Sequence, residues 1–216
     1  MLLIVCVPCA RAAEPSPEAA KIVLPKPAAD GPVSVEKALN ERRSLREYSA
    51  LPLELSQLSQ LLWAAGGISS KRGLRTAPSA GALYPLEFYA AAGNVKDLAP
   101  GLYKYDCAGH ALIKISAGDK RDALYSSCLG QAAVKNAPLS IIIAADYKRT
   151  SVKYGARAER YVHMEAGHAA QNICLQAVSL KAATVPVGAF DDASVKKALG
   201  LPDNEDPLYI LPVGLK

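Results

Sequence analysis

The chain has 216 residues, 50% of them hydrophobic and 21% charged, with a formal net charge of +5. This composition excludes an intrinsically unfolded chain and supplies apolar material for one sizeable core, so one globular domain is the expectation. Lysine and arginine are interleaved with aspartate and glutamate, which excludes the extended basic stripe expected of a nucleic-acid binder.

Residues 1–12 form a short apolar run that ends in a small-x-small pattern at Ala10, Arg11 and Ala12. The run reads as the end of a secretory leader, although no basic residue precedes it. If it works as one, the mature protein starts near Ala13 and is periplasmic or secreted, where NAD(P)H is not supplied. Otherwise the protein is cytoplasmic. The run is too short to cross a bilayer, and no later stretch approaches the roughly twenty apolar residues a spanning helix needs, so stable membrane insertion is not expected. Outside it remain Cys107, Cys128 and Cys174. An odd number without CxxC spacing argues against a disulfide framework and against zinc, and all three read as small core residues.

Residues 13–32 are rich in proline and alanine and read as an extended tail, with the domain proper spanning 33–216. Ser34 suits the cap of a short helix with Val35, Ala38 and Leu39 on one face. Ser56 suits the cap of a second, with Leu58, Leu61, Leu62 and Ala65 at helical spacing and Gly66-Gly67 as its stop. Apolar runs at Leu86 to Ala92, Leu102 to Tyr105, Leu112 to Ile115, Leu139 to Ala145 and Tyr209 to Val213 predict strands. The longest helix is predicted from about Arg157 to Leu180, and a short one follows Asp191-Asp192 and stops at Gly200. Strands and helices mix without strict βαβ alternation, which predicts an α+β fold with a mostly antiparallel central sheet flanked by helices.

Four segments carry candidate chemistry. Arg42, Arg43, Ser44 and Arg46 put three guanidinium groups and a hydroxyl within five residues at a helix end, which suits bidentate binding of a phosphate. Pro78, Ser79, Ala80 and Gly81 open a run of small residues that lets a flat ligand approach the backbone, although a plain tight turn would read the same way. Gly188 and Ala189 again offer small residues before a capped helix, and Lys216 ends the sequence with a cation. His163 and His168 are poorly placed on one helix face, and no carboxylate pair stands at metal spacing, so no metal site is expected. Gln171 and Asn172 are apolar-flanked and read as buried amides.

Together these segments resemble the nitroreductase family of flavoproteins, over Val33 to Lys216. The wording Pro78 to Pro85, with Glu165 to Asn172 on the long helix, is most similar to the SagB-type dehydrogenase branch, which includes azoline dehydrogenases of peptide maturation. The resemblance implies the nitroreductase-like fold, an obligate homodimer with FMN at its interface, and two-electron transfer through flavin N5. The donor would be a species such as NAD(P)H, and the acceptor an unidentified small organic molecule. It implies that Arg42, Arg43, Ser44 and Arg46 hold the phosphate, ribityl chain and pyrimidine edge, with Lys216 closing on the phosphate. Pro78, Ser79, Ala80 and Gly81 would line the ring from the partner subunit, and Gly188 and Ala189 would lie near N5.

The chain departs from that pattern at Ala82 and Tyr84, where many nitroreductases have Asn and Gln. A Lys and Tyr pair important in some azoline dehydrogenases has no clear counterpart, although Lys153-Tyr154 and Arg160-Tyr161 lie in the corresponding region. No side chain is singled out as general acid or base. No G-x-G-x-x-G follows a strand, so a nicotinamide donor would stack directly on the flavin. A different class of function, a flavin-binding partner without turnover in a maturation complex, fits the same residues.

Overall fold

The computed structural model describes residues 21–216, so the candidate leader at 1–12 and the start of the Pro/Ala-rich stretch lie outside the described residues. Seven strands form one sheet: β1 Lys21–Val23, β2 Leu86–Ala92, β3 Gly101–Asp106, β4 Ala111–Ala117, β5 Leu139–Ala145, β6 Ala182–Thr184 and β7 Asp206–Leu215. Their order is β1-β4-β3-β2-β5-β7-β6, and every neighbouring pair is antiparallel. The α+β expectation holds.

Seven helices accompany the sheet: α1 Val35–Glu41, α2 Leu55–Gly66, α3 Arg121–Ser127, α4 Ala132–Asn136, α5 Tyr147–Tyr154, α6 Ala158–Ser179 and α7 Asp192–Leu199. Strand alternation divides the apolar residues into two cores. Phe88, Ala90, Ile141, Ile143, Leu211 and Val213 pack with Leu58, Leu61 and Leu62 of α2 and Ala166, Ala169 and Ile173 of α6. Tyr89, Ala91, Ile142, Ala144 and Ile210 pack on the other face with Leu124, Val134, Val195 and Leu199 of α3, α4 and α7. Because helices cover both faces, all seven residues of β5 are buried, which is why six of them, all but Ser140, are apolar instead of alternating with polar ones. Each such isoleucine contributes about 1.5–3 kcal/mol by its burial.

Local chemistry sets the helix ends. The Ser34 side chain accepts the Lys37 amide and Asp191 accepts the Ser194 amide, so both expected caps form. The second helix starts two residues earlier than a Ser56 cap would give. Glu54 is the cap residue, and Gln57 returns its side-chain oxygen to the Glu54 amide at 2.9 Å, closing a reciprocal capping box. Of the apolar positions on α1 only Ala38 is buried, while Val35 and Leu39 are 65% and 54% exposed. Gln171 likewise differs from its expectation: it lies on the exposed side of α6, and only Asn172 reaches a partner, the Thr76 carbonyl at 3.5 Å.

The sheet also reaches back before Val33. Lys21–Val23 pairs with Ala111–Ile113 at the sheet edge, a strand too short to show as a pattern among the prolines. A histidine junction holds this edge. His110 Nδ1 lies 2.7 Å from the Tyr105 hydroxyl, its Nε2 lies 2.8 Å from Ser59 Oγ and 3.0 Å from the Pro25 carbonyl, and its own carbonyl accepts the Leu24 amide. Ser59 donates to the same Pro25 carbonyl. One imidazole thus ties the strand leading in, α2 and the β3–β4 turn. His110→Ala leaves the Tyr105 hydroxyl short of its partner, and the expected cost is about 1–3 kcal/mol, read as a lower urea midpoint at unchanged slope.

Candidate active site

The arginine segment leaves α1 at Arg42, whose backbone has already turned extended. From there it runs beside the β6–β7 edge, because the Leu45 amide bonds the Thr184 carbonyl and the Ser49 amide bonds the Leu215 carbonyl. Tyr48 lies flat against Gly214, where an added Cβ would fall 2.7 Å from the tyrosine Cβ, so only glycine lets the segment come this close. Lys216 follows directly after β7 and therefore shares this corner with Arg42, Ser44 and Arg46. Arg43 is occupied differently. Its guanidinium donates to the Asn40 and Arg42 carbonyls at 2.9 and 2.7 Å, closing the end of α1. Arg42, Arg46 and Lys216 have no carboxylate partner among the described residues.

Gly188 and Ala189 are exposed and lie one and two residues beyond Val187, which pairs with Ile210 of β7. A Cβ at Gly188 would meet only Tyr209, at 3.6 Å. The Ala189 carbonyl accepts the Gln131 side chain at 2.8 Å, which fixes the loop without filling the space above it.

The small-residue segment is elsewhere. Pro78 to Gly81 lead through a turn at Ala80–Ala82 into β2, whose first residue, Leu86, stands opposite Ala145, itself opposite Asp206 at the start of β7. The arginine corner lies at the far end of β7, nine residues and about 30 Å away by strand rise. Helix α6 gives a second ruler. The Arg42 charge acts on Cys174, whereas the Ser79 hydroxyl and Arg75 act on Glu165, nine residues or about 13 Å nearer the helix start. The fold therefore brings Arg42, Ser44, Arg46 and Lys216 together, but leaves the Pro78–Gly81 segment of the same chain well apart from them.

Several further residues surround that turn, among them the Lys153-Tyr154 pair that the resemblance marked only by region. Lys153 and Tyr154 close over Gly81, whose added Cβ would sit 2.9 Å from the Tyr154 hydroxyl and 3.1 Å from Lys153 Nζ. Tyr154 packs edge-on to Tyr161, and Arg75 stacks over the Tyr84 ring at 4.4 Å. Arg149 donates to the Tyr84 carbonyl and pairs with Glu87.

Glu165 is the other residue the sequence reading passed over. It lies on the buried face of α6 with Val162, Ala166 and Ala169, and a carboxylate in that apolar register is the signal that could have flagged it. Burial pushes its carboxyl up to about 7, with the Ser79 hydroxyl and Arg75 pulling it part of the way back. Between the ordinary value of 4.5 and about 7 the folded protein thus keeps a proton that the unfolded chain has released, so stability falls as pH rises through that window. Glu165→Gln removes the titration. Its stability advantage over the wild type is expected to grow from pH 4.5 to about 7 and then level off, measured by urea midpoints at matched pH.

Comparison with known proteins agrees with this geometry. The family model described as "Nitroreductase family" matches residues 39–215. A candidate nitroreductase of Methanocaldococcus jannaschii is 45% identical over 184 residues, 85% of this chain and 92% of that protein. The crystal structure of a candidate nitroreductase from Ralstonia eutropha JMP134 superposes with a TM-score of 0.79 at 31% identity, covering 90% of this chain and 89% of that one. A chain of the Escherichia coli microcin synthetase McbBCD complex, with truncated pro-MccB17 bound, superposes at 0.69 and 24% identity, covering 89% of this chain and 77% of that one, a likeness of fold alone. With its fold, its ordered segments and these matches in agreement, the chain belongs to the nitroreductase family.

Proposed function

We propose that the protein is an FMN-dependent oxidoreductase that works as a homodimer, passing two electrons between a donor such as NAD(P)H and an organic acceptor. One observation carries the reading: three unpaired cations gather at the β6–β7 corner, while the segment shaped to face a flat ring lies far from them in the same chain. A second copy supplies the missing half. In this arrangement the Pro78–Gly81 turn of one chain approaches the ring held by the other.

The residues fit the cofactor. Arg42, Arg46 and Lys216 offer charge-assisted donors to a phosphate and the Ser44 hydroxyl one more, while Arg43 is engaged by the carbonyls at the end of α1. Gly188 and Ala189, small and exposed, leave room for a planar ring. When bound, FMN supplies a two-electron centre that accepts and returns hydride. Lys153 and Tyr154, held over Gly81, are the side chains placed to orient a substrate or move a proton beside the ring. Their position favours the SagB-type branch as the finer reading.

The dimer has a second support. Along α6, Arg160, His163, Met164, Gly167, His168 and Gln171 form an exposed stripe, with Met164 47% exposed and open space over Gly167. Val35 and Leu39 of α1 add exposed apolar surface. A second copy of the chain is the partner whose matching helix would cover this face. If residues 1–12 act as an export leader, the donor in that compartment is a quinol or a redox protein instead of NAD(P)H. No described helix is long and apolar enough to cross a membrane.

Purified protein is expected to be yellow, with about one FMN per chain, its absorbance bleaching anaerobically on addition of NADH, NADPH or another reductant. Replacing Arg42 and Arg46 together by alanine removes two charge-assisted contacts of about 1.5–3 kcal/mol each. FMN binding should weaken by at least about 100-fold, read by flavin fluorescence. Sedimentation should show a flavin-loaded dimer. A flavin-loaded monomer would contradict the shared site, and a colourless protein that cannot be reconstituted with FMN would contradict the reading itself.

A further inference from the structure

The small-residue turn is costly backbone. Gly81, Ala82 and Tyr84 have positive φ, at 62°, 54° and 48°. Glycine adopts this conformation freely, whereas alanine and tyrosine are strained in it and keep it only where surrounding contacts over-determine it. Tyr84 is tied at both of its backbone groups. Its amide donates to Ser79 Oγ at 2.9 Å, a bond internal to the turn, and its carbonyl accepts Arg149 Nη1 at 3.1 Å, a bond from helix α5. One residue on, the Pro85 carbonyl accepts the amide of Asp146, the cap of α5, at 2.9 Å.

Arg149 is itself held. Its Nη2 donates to Glu87 and its Nε lies 3.8 Å from the Asp146 carboxylate, so one guanidinium meets the turn, strand β2 and the helix cap. Both carboxylates are fixed in turn. Glu87 also pairs with Lys104 of β3 at 3.2 Å, and Lys104 goes on to Glu205 at 2.7 Å. Asp146 accepts the Lys148 amide at 3.0 Å and the Asn204 side-chain amide at 2.9 Å. Three acceptors set around one planar group suit the rigid fork of arginine, and the single ammonium of a lysine would not reproduce it.

One helical turn beyond Arg149, on the same side of α5, stands Lys153, and Lys153 and Tyr154 close over Gly81. The helix therefore meets the turn twice, through Arg149 at Tyr84 and through Lys153 and Tyr154 at Gly81. We infer that Arg149 is a positioning residue, whose guanidinium fixes the Tyr84 carbonyl to α5 and so keeps the turn left-handed with Lys153 and Tyr154 over it. Its meaning for the reaction rests on the reading of this turn as one wall of the flavin site. In that setting Arg149 governs turnover more than cofactor affinity, because the phosphate is held by the cations of the other chain's β6–β7 corner.

The test compares Arg149→Lys, which keeps the charge and loses the fork, with Arg149→Met, which loses both. The arginine side chain is 39% exposed, so neither change opens a cavity in the core. Hydrogen exchange is followed by nuclear magnetic resonance in the flavin-loaded protein. In both variants the Tyr84 amide should exchange at least about tenfold faster, while the Ile142 amide of β5, which reports global opening, keeps its wild-type rate. With NADH or NADPH as donor and a nitroarene as acceptor, kcat should fall about tenfold while the FMN Kd stays within about threefold. If the methionine variant folds poorly, the lysine variant decides. Tyr84 exchange at the wild-type rate in Arg149→Lys overturns the inference, as does exchange that quickens equally at Tyr84 and Ile142. Selective Tyr84 exchange with unchanged kcat in a flavin-loaded enzyme overturns it as well. Protein that binds no FMN yet shows the selective exchange leaves Arg149 as the hold on the turn and removes the flavin reading instead.

Discussion

Burial of β5 on both faces is the constraint on which the rest of the molecule depends. Its seven buried residues, six of them apolar, are covered by α2 and α6 on one side and by α3, α4 and α7 on the other, so no ligand reaches the middle of the sheet. Backbone that is open to chemistry is therefore displaced to the strand ends and the loops that follow them. The arginine corner sits where β7 finishes, the Gly188–Ala189 loop where β6 hands over to α7, and the small-residue turn where β2 begins. An antiparallel sheet sends neighbouring strands to opposite ends. Segments that read as one ligand site in sequence are thus forced apart in a single chain, and the proposed dimer is what would bring them together.

Much of this was legible in the sequence because the signals were local. The Ser34 and Asp191 caps, the Gly200 stop and the bounds of β2 and β5 follow from side chains acting within a few residues of themselves. The two three-residue strands, β1 and β6, were not legible, since each becomes a strand only through its pairing with β4 or β7. The long helix was read correctly in extent, but Gln171 was placed on the wrong side. Burial along α6 is decided by where α2 and the sheet lie, and its many alanines and its glycine blur the apolar stripe that would otherwise mark the inner face.

The candidate site shows the same division. Its cations and small residues announced themselves as clusters. The groups around the turn were less plain: Arg75 meets it only in three dimensions, and Lys153 and Tyr154 stood in the sequence without a place. Even within the arginine cluster the sequence implied equality where the structure finds two jobs. Arg43 satisfies the carbonyls at the end of α1, a duty any helix end must discharge, and that leaves Arg42 and Arg46 for whatever lies outside.

The contrast between the two buried glutamates separates architecture from chemistry. Glu205 is neutralised by a lysine and a tyrosine drawn from β2 and β3, and the group binds sheet to loop in one state. Replacing that ion pair with apolar residues would cost the fold little in principle. Glu165 has no such compensation, yet it occupies the helix face on which the longest helix packs against the core. An alanine there would satisfy the pattern of its neighbours Ala166 and Ala169. Burial without an ion partner instead pushes its carboxyl up to about 7, so the cost of that position is set by pH.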